Sequence, residues 1–467
     1  MKLIKLNHII AFVLIWVICG CSDFLDLSPQ SEANVENFYR DAEDFENAVL
    51  AAYSALQSGS QYGSSGTDEF GGNFYAIMEV RGDDTSDGSL GAGNGIATAE
   101  LDLFIESAGN IILAQTWGSL YQGINRCNIV LNRIDGVSMD QDIRNQLKGE
   151  VSFIRALSYF NLVRIWGDVP LVLTEVSVED ARNTIRNPVG EVYEAIIADL
   201  TFAQSTLPNF YGTSKLGRAT SQAASALLGK VYLTLKRYNE ASTVLKAVIN
   251  SGVHSLLDDI TDVFAPTNKG NNEIIFSVRF LKGGSGEGNS GFGTPNVQNL
   301  VPFYDPNDLR LALLDTIEDP NSVSKRFLRK FFDPASSAGD RAPDFPVLRY
   351  ADVLLMAAEA LNEESYTPDG EAFNYINQVR TRAGVNTYTS ADLADQASFR
   401  EAVLSERKIE FPLELQRWFD LIRTERAIDA IGSIGITINS NRLLFPIPQR
   451  EIDVYNNPIG FPQNPGY

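Results

Sequence analysis

Between Ala219 and Ser251 the chain reads ATSQAASALLGKVYLTLKRYNEASTVLKAVINS, and its apolar positions recur with a helical period, break once, and recur again. Leu228, Gly229 and Tyr232 fall where the first helix of a tetratricopeptide-type unit carries its contact residues. Tyr238, Ala241, Leu245 and Val248 fall where the second helix does. Gly229 and Ala241 lack bulk, so two antiparallel axes can approach closely while Leu228, Tyr232 and Leu245 fill the layers between them. Lys236-Arg237-Tyr238-Asn239 turns the chain, and Ser251-Gly252 closes the second helix with a residue suited to the left-handed region. A lone pair of this kind cannot cover its apolar face, so the rest of the chain must supply neighbours.

The same periodicity supplies them. Phe38, Phe45, Ala48, Val49, Ala52, Tyr53 and Leu56 share one face. From about Ala114, so do Trp117, Leu120, Tyr121, Ile124, Cys127 and Leu131. Arg144 to Trp166 predicts a further helix, broken by Gly167-Asp168-Val169-Pro170. Pro188 opens the next at a position where its missing N–H costs nothing. Ala203 followed by Pro208 closes a second repeat unit, and Tyr350 to Glu363 with Glu371 to Ala383 form a later pair. Two stretches lack the pattern. Gln61 to Thr98 is rich in Gly, Ser and Asp but holds Phe70, Phe74 and Tyr75, which argues against plain disorder. Pro266 to Pro346 opens with a strand signal at Glu273 to Phe280 and continues as a glycine-rich loop, Gly283 to Gly293.

Composition narrows the class. The 467 residues are 44% hydrophobic, enough for a large core, and 59 acidic against 38 basic residues give a formal charge of −21. That balance argues against a nucleic-acid partner. Residues 1–20 read as a signal peptide: Lys2 and Lys5 precede the apolar run Ile9 to Ile18, too short to span a bilayer comfortably. Ile18-Cys19-Gly20-Cys21 resembles a lipobox, which makes Cys21 the lipidation site. Acyl chains contribute roughly 0.8 kcal/mol per buried methylene and so anchor a protein without a spanning helix. Cys127 is then alone, which excludes a disulfide framework and a thiolate metal site. His254 is the single imidazole beyond the signal and sits in a connector, not in a catalytic constellation.

Ordered motifs along the chain then carry a resemblance. They include Cys21-Ser22-Asp23, Tyr121 to Asn128, Phe153-Ile154-Arg155-Ala156 through Gly167-Asp168-Val169-Pro170-Leu171, Leu348 to Leu355, Ala358 to Glu363, and Asn377 to Gly384. Glu406 to Phe411, Arg417 to Arg423, Pro446-Ile447-Pro448 and Gln463-Asn464-Pro465-Gly466-Tyr467 follow. The chain resembles the SusD/RagB family of nutrient-binding lipoproteins of the Bacteroidetes outer membrane. The resemblance implies a mainly α, tetratricopeptide-like right-handed superhelix with long irregular loops and minor β-structure. It divides the chain into a signal (1–20), a lipid-anchored tether (21–36), an N-terminal helical part with a ligand loop (37–265) and a C-terminal part with a loop insertion (266–467), the last two forming one globular unit. It also implies capture of a glycan, or less often a peptide, for a SusC-like TonB-dependent transporter, at the outer membrane and facing the cell exterior, with no catalysis and no cofactor.

In this family the ligand face is built by the loops, here Gln61 to Thr98 and Lys282 to Tyr304. Sugar C–H faces stack on aromatic rings while polar side chains satisfy hydroxyls. The candidates are Phe74, Tyr75, Asp83, Asp84, Asn94, Phe292, Asn296 and Tyr304. Arg349, Asp352, Glu359, Arg380, Arg382, Glu406, Arg407, Glu410, Arg417 and Asp420 alternate in sign at helical spacing, as expected of a partly buried ion-pair network between the last helices. Gly286-x-Gly288-x-x-Gly291 leads into Phe292-Gly293-Thr294-Pro295 instead of a helix and is no dinucleotide site. Asp83-x-Thr85-x-Asp87-Gly88 opens like a calcium loop but has Asn94 where a bidentate Glu belongs, leaving a loop-bound calcium as an open alternative. A surface glycoside hydrolase is the competing class. It would need two carboxylates among Asp68, Glu69, Asp83 and Asp84, roughly 5–5.5 or 6.5–9.5 Å apart across a cleft.

Overall fold

A computed structural model describes residues 39–467 apart from 64–71, 87–93, 178–179, 182, 284–287, 289–296, 298–299, 318–324, 329, 332 and 334–339. The signal, Cys21 and the tether therefore lie outside the described residues.

The predicted helix pair is present as α6 (Ser221–Thr234) and α7 (Tyr238–Asn250). Thr220 caps α6 by accepting from the Ala223 N–H, and Gly252 follows α7 at φ +66°. The turn ends two residues earlier than Lys236-Arg237-Tyr238-Asn239 suggests, because Tyr238 and Asn239 already belong to α7, and Lys236 takes φ +57°. A Cβ built on Gly229 would stand 2.5 Å from Cγ of Leu245, so the close approach of the two axes depends on that glycine. Gly229→Ala should therefore cost about 1–3 kcal/mol through overpacking. Gly118, inside a helix with open space beside it, should instead gain up to about 1 kcal/mol on the same change. Urea midpoints of the two variants test this, and equal tolerance would sink it.

Helices α1 (Ala42–Leu56), α3 (Ile111–Arg133), α4 (Gln141–Trp166) and α5 (Val189–Thr206) pack in sequence, and α5 meets α6. Asp41, Asn110 and Asp140 cap α1, α3 and α4 by accepting two backbone N–H groups each. Helix α7 packs on α9 (Tyr350–Glu364), which carries α10 (Glu371–Arg382) and α11 (Gln396–Glu410). Short helices α2 (Asn94–Asp102), α8 (Ile260–Val263), α12 (Arg417–Arg423), α13 (Ala427–Ser433) and α14 (Gln449–Tyr455) complete this mainly helical, tetratricopeptide-like fold.

The β-structure is minor. Strand β1 (Ile274–Val278) confirms the strand signal and pairs antiparallel with β4 (Phe345–Arg349); β2 (Leu314–Ile317) pairs with β3 (Lys325–Leu328). Leu348 and Arg349 end β4, Arg349 serves as the residue before α9, and the helix starts at Tyr350 as its periodicity predicts. The closing motif folds back onto the end of α4. Asn464 donates to the carbonyls of Trp166 (3.0 Å) and Phe445 (2.7 Å), and the Trp166 indole donates to Pro446 O at 3.0 Å.

The charged pattern of the last helices forms two buried networks. Arg407 spans Asp352 and Asp420 at 2.7 Å each, with Lys230 from α6 also on Asp352. Arg349 reaches Glu273, Glu410 and Glu414, while Arg310 reaches Asp308, Glu406 and Glu410.

Candidate ligand site

Much of the first expected loop is core. Asn73 to Ser86 runs through a π-helical turn at Tyr75–Glu79 whose residues are all buried. Phe74 is fully buried and meets Tyr62 edge-on at 4.8 Å; Tyr75 is buried beside it. Neither ring offers a face to a sugar. Tyr304 is buried too, its hydroxyl donating to Ile409 O at 2.9 Å. Asp84 is buried with neither carboxyl oxygen partnered among the described residues, and burial, reinforced by Asp83, raises it to about 7. These four are corrections to the surface role expected of them, because each ring or carboxyl is enclosed by protein. Asn94 opens α2; its side chain, Phe292 and Asn296 lie outside the described residues.

Asp83 is the exception, since it is nearly buried yet borders a hollow of about 750 Å³. Arg417 at the start of α12 grips it through Nε at 2.6 Å and Nη2 at 3.0 Å, and Lys408 of α11 donates to Oδ2 at 2.9 Å. Burial alone would raise Asp83. Hydrogen bonds and charge from Arg417, then Lys408, outweigh it and bring the carboxyl down to about 2. The same ammonium lies 3.7 Å from the ring centroid of Phe303, which is 54% exposed. Phe303 closes the second expected loop at a 3-10 turn, Val301–Phe303. Lys408 thus joins the interior of the first loop to the end of the second. Glu401, Ser405, Arg426, Asp429 and Ser433 surround the opening with polar groups. An exposed ring beside a rigid charged floor with a polar rim can stack one sugar face and hydrogen-bond its hydroxyls.

Tyr304, a candidate from the sequence, is buried, and its neighbour Phe303, which is not among those candidates, is the exposed ring. Arg417, expected in the network between the last helices, pairs with Asp83 instead. The calcium alternative loses two of its ligands, while Asp87 and the Asn94 side chain lie outside the described residues. Asp83 is spent on two cations, and the Thr85 hydroxyl donates to Glu79 O at 2.8 Å. No acidic, His or Cys cluster among the described residues could hold a metal ion. The hydrolase alternative loses the pairing of Asp83 with Asp84, since one is held by Arg417 and the other is enclosed, while Asp68 and Glu69 lie outside the described residues.

Known proteins place this architecture. Residues 314–467 match the model of the SusD family, and residues 23–233 match a model described as starch-binding, associating with outer membrane. A SusD-like protein of Formosa agariphila is 31% identical over 97% of this chain and 98% of its own length. A second from the same organism is 28% identical over the whole of both chains. Among solved structures, a laminarin-binding SusD-like protein superimposes with a TM-score of 0.79 at 24% identity, covering 92% of this chain and all of that one. A SusD superfamily protein from Parabacteroides distasonis gives 0.75 at 25% identity over 90% and 99%. With a relative above 30% identity along nearly its entire length, the chain belongs to the SusD family.

Proposed function

We propose that this protein captures a glycan at the cell surface, in the hollow between Phe303 and the Asp83–Lys408–Arg417 floor, and passes it to a SusC-like TonB-dependent transporter without chemical change. The observation that carries the reading is the exposed Phe303 ring, fixed by Lys408 at the meeting point of both loops. The outer-membrane association in the family description and the glycan-binding titles of structural neighbours, one called a surface glycan-binding protein A, support it. Lipidation at Cys21 supplies the anchor, and Asn94, Phe292 and Asn296 remain contact residues in this proposal on sequence grounds. Phe303→Ala should abolish retardation in an affinity gel by whichever polysaccharide retards the parent. Its unfolding temperature should barely change, because an exposed ring contributes little to the core. Undiminished retardation would refute the site, and sugars released on incubation would refute capture without catalysis.

A further inference from the structure

A second groove shares no lining residue with the Phe303 hollow and lies under and beside the strap 213–218, which connects α5 to α6. Two hollows of about 430 and 450 Å³ flank this strap and share Lys215, Leu216, Arg218 and Arg279 in their walls. The strap is seated by two glycines. Gly217 takes φ +94°, and a Cβ there would stand 2.3 Å from Cδ of Arg279. A Cβ on Gly270 would stand 2.5 Å from a methyl of Leu216. Arg279 therefore runs beneath the strap, with Nη1 donating to Leu216 O at 3.2 Å, and borders both hollows.

Charge sets this groove apart. The chain carries 59 acidic against 38 basic residues, yet neither hollow has an Asp or Glu in its wall. Arg218 is spent on Glu46 at 2.6 Å and on buried Glu150 at 3.2 Å. Lys215 and Arg279 are not saturated. Lys215 makes one long contact, 3.5 Å to Glu46, and Arg279 lies 3.4 Å from Asp344, their side chains 42% and 36% exposed. Each keeps N–H donors free among the described residues. Phe210, 72% exposed, stands at the wall of the 430 Å³ hollow with Asn209 and Asn272 nearby. An exposed ring with amides and two underused cations, in an acid-free groove of an acidic protein, fits an anionic sugar better than a neutral one.

We infer that this groove is a second saccharide site, selective for sugars that bear a carboxylate or a sulfate ester, with Lys215 and Arg279 holding the anion and Phe210 stacking on the ring. It goes beyond the proposal for the Phe303 hollow and stands independently of it. The test titrates the full chain in detergent with tetragalacturonate, a chondroitin sulfate tetrasaccharide and maltotetraose by calorimetry. At least one anionic probe should bind tenfold or more tightly than maltotetraose, weaken several-fold from 50 to 300 mM NaCl, and weaken about tenfold in both Lys215→Ala and Arg279→Gln. Which anionic probe binds distinguishes carboxylate from sulfate recognition. Phe303→Ala should leave this affinity unchanged, so failure at one site is readable apart from failure at the other. Lys215→Ala removes a half-exposed side chain with one long contact and keeps the fold. Equal affinity for the neutral probe, no binding of either anion, or full affinity in Lys215→Ala would overturn the inference.

Discussion

Arg349→Ala should cost about 3–5 kcal/mol and lower the unfolding temperature by several degrees. The guanidinium is 1% exposed and makes five polar contacts: Glu273 at 2.9 Å, Glu410 Oε1 at 2.7 Å and Glu410 O at 2.9 Å, and Glu414 at 2.6 and 3.0 Å. It also lies 4.5 Å from the Phe411 ring centroid. Truncation would leave three buried carboxylates short of a cation that none can replace from water. Glu410 suffers most. Burial would raise its carboxyl, but Arg382, Arg349 and Arg310 hold it well below the usual range. A carboxylate depressed in the folded state stabilises above its unfolded value, about 4.3. That contribution disappears as pH falls through the acid range, so the variant should unfold early at pH 7 and resemble the parent more closely near pH 3. Arg133→Ala, which breaks a half-exposed pair with Glu175 at 2.6 Å, should cost at most about 1 kcal/mol. Circular dichroism melts of both variants decide it. Equal losses would mean the network is not worth more than a surface pair.

The network shows where sequence reading stops. Asp352, Glu406, Arg407, Glu410 and Asp420 sit on helices whose spacing puts their charges on shared faces, so a buried array was legible. Its other members were not. Glu273 precedes β1, Arg310 lies in the turn before β2, and Glu414 lies between α11 and α12; they meet Arg349 or Glu410 only through the fold. Helix pairs were legible for the same reason in reverse, since a helix exposed on one side prints its period on the chain.

Loss of that contrast explains the misread loop. Asn73 to Ser86 is enclosed on nearly every side, so no polar face alternates with its apolar one and the stretch looks irregular. Its aromatic residues signalled order correctly and could not say whether that order was core or binding face. At Phe303 and Tyr304 the difficulty is sharper. Two neighbouring rings at a 3-10 turn meet different surroundings, Tyr304 buried against Ile409 and Phe303 exposed at the hollow, and nothing in their order distinguishes them.

Asp84→Asn should stabilise the protein at pH 8 by roughly a few kcal/mol and do little at pH 4. The carboxyl is fully enclosed, its two oxygens have no hydrogen-bond donor among the described residues, and its ordinary value of 3.8 is raised to about 7 by burial and then by Asp83, against the pull of Arg417 and Lys408. An acid raised in the folded state binds its proton more tightly there than in the unfolded chain. Folding stability is therefore complete below about pH 4 and falls as pH rises toward 7, by about 1.4 kcal/mol per unit of separation. Asparagine matches the neutral acid in shape and cannot ionise, so it removes that slope. Glu79 adds a parallel one. It rises from 4.5 to about 8 through burial and then Asp84, although its oxygens accept the N–H groups of Leu413 and Leu415, so loss of the Asp84 charge should ease it as well. What the native acid gives in return is field: Asp84 adds to the negative potential that holds Arg417 in the floor of the Phe303 hollow. Melting temperatures at pH 4, 6 and 8 should show the gap between variant and parent opening with pH. A gap of the same size at all three values would place the carboxyl in contact with water and overturn the assignment.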